Sequence, residues 1–475
     1  MTRQAAIADA VAQLDNGTFL KDLARRVAIP TESQNPERKA ALLAYLTDEM
    51  QPTLEAIGFS CRIVPNPVAH GGPFLIAQRI EGPDLPTVLS YGHGDVIRGL
   101  EDQWRDGITP WELKQEGERL YGRGTADNKG QHSINIQALK SVIEARGSLG
   151  FNCKLLIETG EETGSPGLRQ LCEQENEALS ADLLLASDGP RLQPGRPTIF
   201  LGARGNFNFD MWLDLREGAH HSGNWGGLLA DPGVILAHAI ASICSPTGKI
   251  LVDGFLPTPI PNSVRVALAD CTVDGGEDGP TVDEWWGEPG MTPAERVYGW
   301  NSFDVLAFKT GNPERPVNAI PPSAKAHCQI RFVVGSDPEN FLPSLRKHLD
   351  ARGFQAIQLA PSRDAYFQAT RLDPEDPWVK WAVGSIQSTL GVKPAILPNL
   401  GGSLPNDIFT EVLKLPTVWV PHSYASCSQH APNEHALLPI IREGLQMMAG
   451  LFWDLGDGAG VPQGTAQGTA ARRAA

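Results

Sequence analysis

The chain has 475 residues, 41% of them hydrophobic, and 55 acidic side chains against 40 basic ones give it a formal net charge of −15. That length predicts more than one packed unit, and the acidic balance argues against nucleic acid, whose phosphates need a basic face. The 7 cysteines (Cys61, Cys153, Cys172, Cys244, Cys271, Cys328 and Cys427) are odd in number, widely spaced and without a CxxC pair; this argues against a disulfide framework or a thiolate zinc site and for a reducing cytoplasm.

The N-terminus, Met1-Thr2-Arg3-Gln4, lacks the unbroken apolar core of a signal peptide. No apolar run approaches a bilayer span, so no membrane partner is expected. Up to about Gly58 the pattern is helical, with Leu42, Leu43, Leu46 and Met50 at helical spacing. From Phe59 to Asp188 apolar strands alternate with helical patterns, among them Gln131 to Arg146 stopped by Gly147. Such alternation predicts an α/β fold, a largely parallel sheet with helices on both faces. Thr198 to Leu215 alternates apolar and polar, as a half-buried strand does. A helix over Pro232 to Ile243 follows, then an acidic, irregular segment from Asp270 to Glu295 carrying Trp285 and Trp286. Ala324 to Val334 reads as a strand, Asp337 to Arg352 as a helix and Phe354 to Ala360 as a strand. Trp378 to Leu390 reads as a helix and Leu415 to Val420 as a buried strand, and Arg442 to Trp453 closes the structured part. The expected organisation is a catalytic domain in two parts, 1–201 and 368–455, interrupted by a smaller α+β lid and dimerisation domain at 202–367 and followed by a disordered tail at 456–475.

Histidines and carboxylates gather where strand-like runs stop. Thr87-Val88-Leu89-Ser90-Tyr91 leads into Gly92-His93-Gly94-Asp95, Cys153 to Ile157 into Glu158-Thr159-Gly160-Glu161-Glu162, and Asp182 to Ala186 into Ser187-Asp188-Gly189. Open α/β sheets bind ligands beyond the carboxyl ends of their strands. Imidazole and carboxylate without thiolate suit a hydrolytic divalent metal.

These segments also form a set. His93-Gly94-Asp95 resembles an HxD metal motif, Gly122-Arg123-Gly124-Thr125-Ala126-Asp127-Asn128-Lys129-Gly130 a GRGxxDxKG motif, and Glu161-Glu162 a paired-glutamate motif. With Ser187-Asp188-Gly189 and Asn433-Glu434-His435 they resemble the M20 metallopeptidases, which include carnosinase-like dipeptidases, carboxypeptidase G2 and aminoacylases. The resemblance implies two divalent ions, zinc before cobalt or manganese. Asp127 would bridge them, His93 and Asp188 would complete one shell, and Glu162 and His435 the other. Asp95 would accept a hydrogen bond from the His93 ring, and Glu161 would be the general base. An anionic carboxylate is the natural bridge between two mutually repelling cations. Ala219-His220-His221-Ser222-Gly223 resembles the family's lid segment, which implies that His221 reaches a partner subunit's site in a homodimer. Arg331, Asn318, and Gly402 with Ser403 resemble substrate-contacting positions, and a guanidinium suits a substrate carboxylate.

Departures and plainer readings stand beside this. The HxD motif continues as Asp95-Val96-Ile97-Arg98, unlike the usual Asp-Val-Val-Pro, which bears on the rim. Asp188 could be a turn former, His221 a packed lid residue and Arg331 an ordinary strand arginine. His70, His132, His238, His327, His348, His422 and His430 read as structural or surface groups. No GxGxxG, Walker A or GxSxG pattern supports a nucleotide or serine-hydrolase reading. The expectation is hydrolysis of an amide bond in a small peptide, with an N-acyl-amino-acid or N-carbamoyl substrate as the alternative and a non-catalytic homologue as the remote one.

Overall fold

Short apolar runs rich in Leu, Ile and Val make the centre of an eight-stranded sheet in this computed structural model, which describes residues 2–276, 279–362, 366–458 and 460–462. Its strands lie in the order Ser60–Val64, Phe74–Arg79, Asn152–Glu158, Thr87–His93, Leu183–Ala186, Thr417–Trp419, Thr198–Phe200 and Ala395–Leu397. The four central strands, from Asn152–Glu158 to Thr417–Trp419, are parallel to one another. The Ser60–Val64 edge pairs antiparallel, as does the contact between Trp419 and Phe200. Successive strand residues face opposite ways. Leu75, Ala77, Val88, Leu155 and Ile157 therefore pack with helices Arg3–Asp15, Lys129–Arg146 and Leu438–Asp457. Phe74, Ile76, Leu89, Tyr91 and Leu156 pack with helices Leu168–Gln174 and Asn406–Glu411 on the other face. Each fully buried side chain of this size contributes about 1.5–3 kcal/mol, so both faces hold the strand ends rigidly. The expected mostly parallel α/β sheet is present.

A second, antiparallel sheet has the order Ser302–Thr310, Ser323–Phe332, Gly205–Asp214 and Gln358–Pro361. Its alternating apolar residues face helices Pro232–Ile243 and Phe341–Asp350 in a third core. The stretch between takes another course. Ile260, Val264, Leu268 and Ala294 join the second core, beside the large sheet. The acidic segment leaves Trp285 and Trp286 exposed, their rings edge-to-face at 5.6 Å.

The final helix, Leu438–Asp457, runs past the expected end, so residues 456 and 457 are helical where a disordered tail was expected. Residues 459 and 463–475 of that tail lie outside the described residues. Among the described residues no helix is long and apolar enough to cross a membrane. The seven cysteines are free thiols.

Candidate active site

Three neighbouring parallel strands deliver their carboxyl ends to one place. His93 is the last residue of Thr87–His93. Asn152–Glu158 runs into a short 3-10 turn, Glu161–Thr163. Leu183–Ala186 stops two residues before Asp188. Asp127 lies just ahead of helix Lys129–Arg146. The His93 Nε2 stands 2.9 Å from Asp127 Oδ1 and 3.6 Å from Asp188 Oδ2.

Asp95 works differently from expectation. The His93 Nδ1 is 3.0 Å from the Asp95 main-chain carbonyl and 3.5 Å from its carboxylate. The carboxylate instead accepts the backbone N–H groups of Glu161 and Glu162, at 3.2 and 3.1 Å. It therefore fixes the glutamate turn, and the carbonyl is what orients the imidazole, leaving Nε2 aimed at Asp127.

The fourth side of the site is a correction. His430, read from sequence as structural or surface, places its Nε2 3.0 Å from Asp127 Oδ2 and 3.0 Å from Glu162 Oε2. Among the described residues, His435 belongs to neither group of ligand atoms that lie together. It opens a short strand, His435–Leu437, paired with Arg119–Tyr121. Its Nε2 lies 2.6 Å from the Tyr424 hydroxyl and its Nδ1 3.0 Å from the Asn433 carbonyl. Those partners set its tautomer: the carbonyl accepts from Nδ1, and Nε2 accepts from the hydroxyl. Glu434, between them, is buried and accepts the N–H groups of Gly124, Ala126 and Asp127 and a bond from Arg123. It anchors the loop that presents Asp127. The sequence signal that distinguishes the two histidines is the apolar run Ala436-Leu437-Leu438, which marks His435 as a strand residue.

Four carboxyls and two imidazoles thus crowd one place, most of them buried, and protons must balance their charge. Burial and the neighbouring Asp127 push Glu162 up to about 7. Burial pushes Asp188 up to about 6, against the pull of His93 and with the push of Asp127. Glu161 is raised well above its ordinary value, first by burial and then by Glu162, Asp188 and Asp127. Hydrogen bonds to Asp127 and Glu162 lift His430 to about 11. Burial opposes charge on His93, but Asp127 and Asp95 hold it well above the usual imidazole range. Burial likewise opposes charge on Asp127, which His430 and His93 hold below the usual carboxylate range.

This donor set fits divalent cations. His93, Asp127 and Asp188 offer one group of ligand atoms within 4.8 Å of one another, and Asp127, Glu162 and His430 offer a second. The two groups share Asp127, one oxygen to each. Asp188 Oδ2 is buried without a hydrogen-bond partner, which fits a carboxylate oxygen that would ligate a cation. The nearby Cys427 thiol is pushed up to about 12 by burial, so it supplies no thiolate.

The expected substrate residues divide into two places. Arg331 donates from Nη1 to Ser403 Oγ at 2.8 Å, and Ser403 Oγ donates to the Arg204 carbonyl at 2.7 Å, beside the exposed Gly402. Arg204, unmarked in the sequence reading, grips the Gly401 carbonyl through Nε at 2.7 Å. His221 and Asn318 lie together elsewhere. Strand residues His221 and Ala319 pair, and the Ser222 N–H donates to the Asn318 carbonyl at 2.9 Å. Both side chains are exposed, and no hydrogen bond among the described residues joins either to the carboxylate cluster.

Residues 89–454 match the profile of peptidase family M20/M25/M40. The chain belongs to that family. Its M20 relatives include the β-Ala-His dipeptidase of Homo sapiens, 31% identical over 93% of this chain and 91% of the relative. The Cys-Gly metallodipeptidase dug1 of Schizosaccharomyces pombe is 32% identical over 79% of this chain and 81% of its own length. Among solved structures, the di-peptidase Dug1p of Saccharomyces cerevisiae superposes with a TM-score of 0.77 at 21% identity, covering 96% of this chain and 99% of that one. As an M20 peptidase the chain is a hydrolase, and the likeness to Dug1p extends to nearly the whole fold.

Proposed function

We propose that this M20 peptidase is a dipeptidase that holds two divalent cations, zinc before cobalt or manganese. The observation that carries the reading is Asp127, which turns one oxygen to His93 and Asp188 and the other to Glu162 and His430. We assign these five residues as the ligands, with His430 in the role expected of His435. When bound, the cations supply Lewis-acid polarisation of the scissile carbonyl and acidify a water at the site. Glu161 takes the proton from the attacking water and returns it to the leaving amine. Asp95 keeps Glu161 in place by binding its backbone N–H.

Arg331 with Ser403 takes the substrate's carboxylate, and the Gly402 turn lies against its backbone. The dipeptidase names of the two relatives at 31 and 32% identity favour dipeptides over N-acyl amino acids. The free cysteines support a cytoplasmic location.

We further assign a homodimer through the smaller sheet, the lid of the 202–367 insertion. Strand Ser302–Thr310 is at the edge of that sheet and exposes Val305, Leu306 and Phe308. An apolar free edge is a pairing template. In such a dimer His221 and Asn318 would serve the partner's site, in keeping with their exposure here.

Glu161→Gln tests the chemistry. About two ions per chain should remain, while kcat on a dipeptide panel falls on the order of 10²–10⁴-fold. Unchanged turnover in a metal-loaded Glu161→Gln protein would end the assignment. Preferential cleavage of N-acyl amino acids by the wild type would move the substrate class.

A further inference from the structure

The two aspartates on the His93 side are strapped to each other from both flanks. Gln131, in the first turn of helix Lys129–Arg146, is fully buried, and its amide makes three hydrogen bonds. Its Oε1 accepts the His422 N–H at 2.7 Å. Its Nε2 donates to the Ala126 carbonyl at 2.9 Å and the Gly189 carbonyl at 3.2 Å. Backbone N–H only donates and carbonyls only accept, so the orientation of this amide is fixed by its partners. Ala126 directly precedes Asp127, and Gly189 directly follows Asp188.

Asn128 makes the matching strap on the opposite flanks. Its Nδ2 donates to the Ser187 carbonyl at 2.8 Å. Its Oδ1 lies 3.0 Å from His132 Nδ1, and His132 Nε2 lies 2.6 Å from the Tyr45 hydroxyl. With Nδ2 already donating, Oδ1 must accept, so His132 carries its proton on Nδ1 and accepts from Tyr45 at Nε2. The chain of bonds is fully determined from Tyr45 to Ser187. Asn128 directly follows Asp127, and Ser187 directly precedes Asp188.

We propose that Gln131, backed by Asn128, is a positioning residue that holds the Asp127 and Asp188 loops at cation-binding separation against the mutual repulsion of their carboxylates. The proposal rests on the two-cation reading. Neither side chain need touch a cation; each acts through the peptides that carry the ligands. Partners of this kind typically change metal affinity 10–100-fold when lost.

The test is a zinc titration against a chelating indicator, with visible spectra of the cobalt-loaded protein. It compares wild type, Gln131→Met, Asn128→Ala and Leu139→Ala, the last removing core volume from the same helix. Gln131→Met should weaken one of the two ions about 10–100-fold and shift the cobalt bands, while the other ion stays within a few-fold. Asn128→Ala should do the same, and it decides the matter if Gln131→Met does not fold. Leu139→Ala should lower Tm with both affinities intact. Folded Gln131→Met and Asn128→Ala proteins with wild-type affinities and spectra overturn the proposal, as does an equal loss of affinity in Leu139→Ala. A wild type that binds no cation sinks the two-cation reading itself, and the proposal with it.

Discussion

His430 and His435 stand five residues apart and have opposite fates. His430 turns to the carboxylates with its ring half exposed, whereas His435 is committed to Tyr424 and to the Asn433 carbonyl. His430→Ala should therefore leave about one ion per chain and little activity, and His435→Ala should keep both ions; elemental analysis of the purified variants measures this. The reverse pattern would return the ligand role to His435. The other ligand positions were legible because each ends a buried run or sits in a motif of fixed spacing: His93, Asp127, Glu162 and Asp188. His430 was not. Its loop holds Ser428, His430 and Asn433 at φ of 57°, 59° and 64°, a left-handed path that no side-chain periodicity announces. The Asp95 role was half legible, since spacing placed it beside His93 but could not say that its carboxylate turns to the Glu161 and Glu162 amides.

At the scale of elements, the long apolar strands and the helices with a clean 3.6-residue face were readable, because burial on both sides of a sheet leaves an unbroken apolar run. The strands Lys114–Glu116 and Arg119–Tyr121 were missed, being three residues each and mixed in polarity. Yet Arg119–Tyr121 is what captures His435. Helix Asn262–Ala269 has an apolar face that fits either core, so the sequence left it in the lid insertion, whereas Val264 and Leu268 pack beside the large sheet. The edge strand Ser302–Thr310 carries the dimer proposal. Leu306 is 53% exposed, so Leu306→Lys should change fold stability by no more than about 0.5 kcal/mol. In sedimentation velocity it should convert a wild-type dimer to monomer. A wild type that sediments as a monomer with full activity would contradict the shared-site arrangement.

For the molecule as a whole, the cluster links stability to cations and protons. In the cation-free protein Asp188 titrates near 6 and Glu162 near 7, both above their ordinary values. A raised carboxyl contributes stability that is complete below its ordinary value, near 4, and is lost as pH rises through 6–7. Cations compete with those protons for the same oxygens. The rise in Tm on adding zinc should therefore be larger at about pH 7.5 than at about pH 5.5; an equal or smaller rise would mean that these carboxyls do not bind the ion. The lasting structural idea is that one loop carboxylate, set by Glu434 from below and by the neighbouring loops at its sides, serves two cation positions at once. Anomalous diffraction at the zinc edge from crystals grown with zinc tests it most directly. Two peaks about 3.5–4 Å apart, both touching Asp127, one flanked by His93 and Asp188 and the other by Glu162 and His430, are the predicted result. A lone peak away from Asp127, or a second peak held by His435 in place of His430, would contradict the account.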